Sequence, residues 1–181
     1  ICLEKIMNRI TIETPRLQLL GADSVVLRAE LAGPAELARA LEAAVPPAWP
    51  PEFLDEAAIR WTLAAAEEMS AELVWRMYYM LLRGERRIAI GTCGFKFPPD
   101  PNGCVEVGYS VLPAYQRQGF ATEAVKGLMA QAARHGAKQV CAQTLPELAA
   151  SQRVMEKAGM VLTGAGDEPG TVRAAVYLPP A

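Results

Sequence analysis

The stretch Gln116-Arg117-Gln118-Gly119-Phe120-Ala121 stands where a strand-like pattern, stopped by Pro113, hands over to a helical one. The first N–H groups of a helix have no partner inside the helix and carry partial positive charge. An anion placed on them gains roughly 0.3–2 kcal/mol from the dipole, besides direct hydrogen bonds. Gly119 lets the backbone approach such an anion closely, Ala121 keeps the approach clear, and Arg117 adds a cation. The chemistry on offer is the grip of a diphosphate, although an ordinary strand-to-helix turn uses the same residues. Upstream, Glu106 stands among valines in Cys104 to Leu112. Alternation puts Val105, Val107, Tyr109 and Val111 on one face and Glu106, Gly108 and Ser110 on the other. An ionised carboxylate fully buried there would be costly, so Glu106 is expected to face solvent or a cleft.

The elements that must position these residues follow from periodicity and punctuation. Thr11 to Leu20 reads as a first strand, with Pro15 marking a start or an edge. Asp23 to Ala44 carries two short helices broken at Gly33-Pro34, Asp23 capping the first. After a proline-rich connection, Asp55 caps a helix running to about Met69, with Ile59, Leu63 and Ala66 on one face. Trp75 to Leu82, Arg87 to Phe97 and Cys104 to Leu112 are strands joined by turns. Gly119 to Arg134 is a helix closed by Gly136. Lys138 to Thr144 is a strand, Leu148 to Ala158 a helix, and Met160 to Thr163 and Thr171 to Leu178 a final strand pair. This order predicts an α+β fold, a mixed and mostly antiparallel sheet of about seven strands with helices on both faces.

With 181 residues, no internal repeat and no low-complexity linker, the chain reads as one domain, residues 10–181, behind an N-terminal extension, residues 1–9. Ile1 at the start with Met7 nearby leads us to expect residues 1–6 to be vector-derived or an upstream reading without function. A formal net charge of −2 argues against nucleic acid as a partner. The four cysteines form no CxxC pair and His135 is the single histidine, so a metal site is not expected. Cys93, Cys104 and Cys141 read as small buried hydrophobes. No apolar run approaches the ~20 residues needed to cross a bilayer and no signal-peptide core is present, which predicts a cytoplasmic protein with no membrane partner. Competing phosphate loops are missing: there is no G-x-x-x-x-G-K-[ST], and Gly164 to Gly170 ("GAGDEPG") is a turn.

The run Val105 to Val125 resembles the acetyl-CoA-binding segment of the GNAT N-acetyltransferases, whose signature is [QR]-x-x-G-x-[GA]. Within that superfamily it looks like the ribosomal-protein N-terminal acetyltransferases. The likeness extends to an early "T-x-R-L-x-L" (Thr14 to Leu19), a "G-Y-x-V-x-P-x-Y" (Gly108 to Tyr115) and a late "S-x-x-V-x-E-K-x-G-[FM]" (Ser151 to Met160). It runs from about Ile12 to Leu178.

The resemblance implies a sheet splayed at its middle strands and transfer of an acetyl group from acetyl-CoA, without a metal, to a primary amine. Val111 and Leu112 would lie nearest the thioester, with an N–H near Leu112 stabilising the oxyanion. The amides of Gln118, Gly119, Phe120, Ala121 and Thr122 would hold the pyrophosphate, beside Arg117. Glu106 matches the place of a general base and Ser151 that of an acid for the leaving thiolate. The acceptor, a peptide N-terminus or a small-molecule amine, would bind among the Ala22 to Met69 helices and the turn near Pro169. There Trp49, Phe53, Trp61 and Trp75 read either as core or as pocket walls, and Glu52, Asp55, Glu56, Glu67 and Glu68 either as a solvated face or as a lure for a cation. Homodimers are common in the family. Two departures stand out. Leu148 replaces the asparagine usual before the late serine, and Leu20-Gly21 stands where relatives often carry Arg-Pro. Leucine cannot make an amide's hydrogen bonds, which motivates an alternative, an acyl-CoA-binding sensor without turnover.

Overall fold

The computed structural model describes residues 9–68 and 74–179. The expectations for residues 1–6, for Cys2 and for the end of the third helix at Met69 lie outside the described residues. In chain order the elements are β1 (Thr11–Glu13), β2 (Leu17–Gly21), α1 (Ser24–Ala32), α2 (Pro34–Leu41), α3 (Glu56–Glu68), β3 (Met77–Leu82), β4 (Ile88–Phe95), β5 (Cys104–Val111), α4 (Phe120–Arg134), β6 (Gln139–Thr144), α5 (Ala149–Lys157), β7 (Val161–Ala165) and β8 (Val172–Tyr177). The strands form one sheet in the order β1-β2-β3-β4-β5-β6-β8-β7. Every neighbouring pair is antiparallel except β5–β6.

Eight strands rather than about seven arise because Thr11 to Leu20 is a hairpin. Proline fixes its φ and has no N–H for a ladder, so the chain turns through Thr14-Pro15-Arg16 and pairs Glu13 with Gln18. Asp23 caps α1 through Val26 N–H at 2.8 Å, and Pro34 occupies the first turn of α2. Asp55 caps α3 through Ala58 N–H. Two apolar cores flank the sheet. On one face, α4 and α5 bury Phe120, Leu128 and Met155 against Val105, Val107 and Val111. On the other, α1, α2 and α3 bury Val26, Leu37 and Ile59 against Tyr79 and Leu81. Among the described residues no helix is long and apolar enough to cross a membrane.

The sheet opens in its middle. β5 and β6 pair over three residues only, Cys104, Val105 and Glu106 against Gln139, Val140 and Cys141. Beyond Glu106, β5 stays with β4 as far as Val111, while β6 follows β8 to Thr144. The two strands therefore part like the arms of a V.

Candidate active site

Backbone geometry decides what the open seam offers. Lys96 N–H donates to Glu106 O at 3.0 Å, and Leu112 N–H donates to Ile90 O at 2.8 Å. In an antiparallel pair, backbone groups point to the partner and away from it in alternation. The even-numbered residues of this stretch thus turn to β4, and Val107, Tyr109 and Val111 turn their N–H and C=O groups toward the departed β6. Of these, Val111 O accepts from Gln116 Nε2 at 2.8 Å. The N–H groups of Tyr109 and Val111 have no acceptor among the described residues. Unpaired strand amides next to a gap are a docking edge for an extended chain with alternating polar groups. Leu112 itself is different. Its N–H is spent on Ile90 and its side chain is buried, so the free donor beside it is Val111 N–H.

The turn after β5 supplies the second set of donors. Arg117 (φ 61°) and Gly119 (φ 85°) both adopt the left-handed region, which curls the loop into the start of α4. Only glycine holds that conformation without a Cβ penalty, and Gly119 is the cap of α4 with no side-chain capping bond. The N–H groups of Arg117, Gln118, Gly119, Phe120, Ala121 and Thr122 have no protein acceptor among the described residues. The expected cradle is thus uncapped.

What keeps it open is the early Thr14-Pro15-Arg16 turn, to which sequence reasoning gave no role. Glu123, in the first turn of α4, receives Thr14 Oγ1 at 2.6 Å and Arg16 N–H at 2.7 Å on one oxygen, and Arg16 Nε at 2.7 Å on the other. Arg16 Nη1 then donates to Gln118 O at 3.0 Å, and its guanidinium lies 4.4 Å from the centre of the Phe120 ring. The Gln118 carbonyl, which Thr122 N–H would use in a longer helix, is turned to Arg16 instead. Burial raises the Glu123 pKa, but the bonds from Thr14 and Arg16 outweigh it and hold the group below its ordinary value. Next to the cradle a shallow hollow of about 490 Å³ carries Thr122, Lys126 and Lys157. Lys126 follows Thr122 by one helical turn, a spacing that could have revealed it.

On the opposite face of β4 and β5 the register aligns three rows: Lys96 beside Glu106, Gly94 beside Gly108, and Thr92 beside Ser110. The glycine row makes a depression. A Cβ at Gly108 would meet only open space, whereas one at Gly94 would strike Arg76 O. A cavity of about 660 Å³ lies over these rows, roofed by α3 through Trp61, Thr62 and Ala65. Its rim is aromatic. Phe53 is 77% exposed, Trp61 57% and Phe97 60%, and Trp61 meets Phe97 edge to face.

Glu106 borders this depression with both oxygens engaged. Lys96 Nζ lies 2.7 Å from one and Gln143 Nε2 donates to the other at 3.0 Å. Lys96 also pairs with Glu168 at 2.8 Å. Burial lowers the Lys96 pKa, but its bonds to Glu106 and Glu168 outweigh this and raise it, so the side chain is an ammonium. Gln143 ties the β7–β8 turn to the site by accepting from Asp167 N–H at 2.6 Å. That turn holds Pro169, but it does not line the cavity. Ser151, one turn into α5, lies on the other side of the sheet, its Oγ 3.0 Å from Tyr109 Oη. Burial raises the Tyr109 pKa, against the bond to Ser151. Leu148 precedes α5 as an exposed cap without a side-chain bond.

The aromatic set divides. Trp49 donates to Glu30 at 2.7 Å and stacks on Tyr79, whereas Phe53, Trp61 and the half-buried Trp75, which also packs on Phe95, line the cavity. Asp55 caps α3, Glu56 pairs with Arg60 and Glu67 with Arg28, a solvated face, and Glu52 lies on the cavity, while the Glu68 side chain lies outside the described ones. Cys93 and Cys141 are buried as expected and Cys104 is half-buried.

Known proteins share this fold. An uncharacterized N-acetyltransferase of Bacillus subtilis, YjdG, is 27% identical over 85 residues, 46% of this chain and 51% of that protein. The chain thus spans about half the length of this curated relative. Among solved structures, a GNAT-family acetyltransferase from Bacillus anthracis superposes with a TM-score of 0.63 at 20% identity, over 93% of this chain and 98% of the other. The ribosomal-protein-S5-alanine acetyltransferase of Vibrio fischeri gives 0.66 at 17% identity, over 93% and 96%. RimL, a ribosomal L7/L12 alpha-N-protein acetyltransferase in complex with coenzyme A, gives 0.67 at 18%, over 93% and 98%. At these identities the structures speak for the fold. The acetyltransferase (GNAT) domain family matches residues 16–161, most of the chain, and the protein belongs to that family.

Proposed function

We propose that the protein transfers an acetyl group from acetyl-CoA to a primary amine. The observation that carries this reading is the parting of β5 from β6 after Glu106, which leaves strand amides unpaired between an uncapped helix entry on one side and a cavity on the other. The donor set fits coenzyme A. The amides of Gln118, Gly119, Phe120, Ala121 and Thr122 suit its diphosphate, with Arg117, Lys126 and Lys157 as nearby cations. The edge of Tyr109 and Val111 suits the amides of its pantetheine arm.

Acetyl-CoA supplies the thioester when bound. Val111 N–H donates to the carbonyl oxygen as negative charge builds there, a preorganised dipole that needs no rearrangement during the reaction. Glu106, on the cavity side, takes the proton of the incoming ammonium directly or through water, and the Lys96 ion pair holds its carboxylate in place. Ser151 gives its hydroxyl proton to the departing sulfur. Tyr109 Oη, 3.0 Å away, orients that hydroxyl and can replace its proton. Release of free thiol on adding amines to protein and acetyl-CoA tests the assignment. Thiol release above background, with one acetyl transferred per thiol, is the expected result. Confirmed coenzyme A binding with no release across peptides, amino acids and polyamines would remove it.

The exposed Leu148 favours a second reading, an acyl-CoA sensor without turnover, because the cap of α5 has no side-chain bond. Under that reading Glu106→Gln changes no rate.

A further inference from the structure

Resting on the acetyltransferase reading, the cavity itself narrows the acceptor. Its walls are apolar and aromatic: Trp61, Phe53, Phe97 and Met77. Its charges are not balanced. Lys96 is already neutralised by Glu106 and Glu168. Arg76 is not. It lines the cavity beside Gly94, donates through Nη1 to Ala22 O at 3.1 Å, and has a buried Nε with no partner. No carboxylate lies within ion-pair distance of it among the described residues. Glu52, the remaining acid on the cavity, is exposed and its carboxylate is not paired with Arg76. A half-buried guanidinium with an unpartnered Nε and no ion-pair partner of its own is a costly group, and its planar fork of donors matches a carboxylate.

Position agrees with chemistry. Arg76 O accepts Phe95 N–H, so the residue sits on the β3 side of the Gly94–Gly108 row, while the open edge of Tyr109 and Val111 lies on the β5 side. A molecule lying across the two glycines therefore meets a cation at one end and the reacting edge at the other. We infer that the acceptor is an apolar or aromatic primary amine that also carries a carboxylate, such as a hydrophobic amino acid or short hydrophobic peptide acid, whose carboxylate pairs with Arg76 while its side chain lies between Trp61 and the Gly94–Gly108 depression.

The test compares phenylalanine, tryptophan and the dipeptide Phe-Phe with phenylalaninamide, tryptamine and Phe-Phe amide, and with spermidine. Thiol release is followed for each, and binding to the coenzyme A-loaded protein is measured by calorimetry. The carboxylate forms are expected to exceed their matched carboxylate-free forms by about 10- to 100-fold in kcat/KM or in affinity. Arg76→Gln is expected to erase that preference by lowering the carboxylate forms alone, with coenzyme A affinity unchanged as the check on folding, and Arg76→Lys to restore part of it. Gly108→Leu, which fills the depression, is expected to lower all three carboxylate acceptors while coenzyme A still binds. Selective binding without thiol release supports the inference and overturns the transfer reading. Equal performance of carboxylate and carboxylate-free forms, a preference for spermidine, or an Arg76→Gln loss that is the same for both forms overturns the inference.

Discussion

The cradle at the start of α4 and the cavity under α3 are built from different materials. The cradle is main chain: six free N–H groups, two left-handed residues and a carboxylate-guanidinium brace from the β1–β2 turn. The cavity is side chain: two aligned glycines, an aromatic rim and one unpaired arginine, drawn from α3, β3, β4 and β5. Main-chain sites need small residues at fixed spacing, and many side chains can surround them. Side-chain sites change whenever one lining residue changes. The first kind suits a ligand common to a whole family, the second a ligand particular to one member.

Four variants bear on this contrast, in order of expected effect. Gly119→Val should abolish coenzyme A binding in calorimetry, because a β-branched residue is strained at φ 85° and its methyls intrude on the cradle. Intact thermal shift with coenzyme A, where saturation a hundredfold above Kd adds about 2.7 kcal/mol, would break the assignment of the cradle. Glu106→Gln should lower kcat by about 100-fold and leave coenzyme A affinity unchanged. An unchanged rate would favour the sensor.

Arg16→Ala should cost about 2 kcal/mol of stability and raise the KM for acetyl-CoA several-fold, with the acceptor KM unmoved, since it removes bonds to a carboxylate and to Gln118 O. The same brace predicts a pH effect. Glu123 has a lowered pKa in the folded protein, so its contribution is present above its ordinary value of 4.5 and is lost as pH falls through the lowered one. Melting of Glu123→Gln should therefore differ from the parent at neutral pH and converge with it in acid. Trp61→Ala should change stability by less than about 0.5 kcal/mol, as an exposed side chain does, while raising the acceptor KM several-fold. Loss of coenzyme A affinity in that variant would blur the division between the two sites.

The same contrast explains what could be read from residues alone. Strand alternation placed Glu106, Gly108 and Ser110 on the cavity face, and Q-x-x-G-x-A located the cradle, because both are local patterns. Thr14 and Arg16 were visible as a motif without a role, since Glu123 lies more than a hundred residues away and only folding joins them. The pairing of Gly94 with Gly108 depends on the β4–β5 register, and the isolation of Arg76 on everything around it, which no spacing rule encodes. Pro15 was legible as a strand boundary, yet the tight return of the chain into β2 was not. Phe53, Trp61 and Trp75 looked the same as Trp49, and only the fold separates the three that line the cavity from the one packed on the core.

The seam between β5 and β6 is three residues long, as short as the pairing of β1 with β2 at the sheet's edge, but it lies in the middle of the sheet. It divides the strands into a five-membered wing, β1 to β5, and a three-membered wing, β6 to β8. A ligand arm lying in the notch would stand in for missing ladder rungs on the β5 side. The protein would then reach full rigidity only when loaded, and amide exchange in β5, at Tyr109 and Val111 above all, should slow on loading.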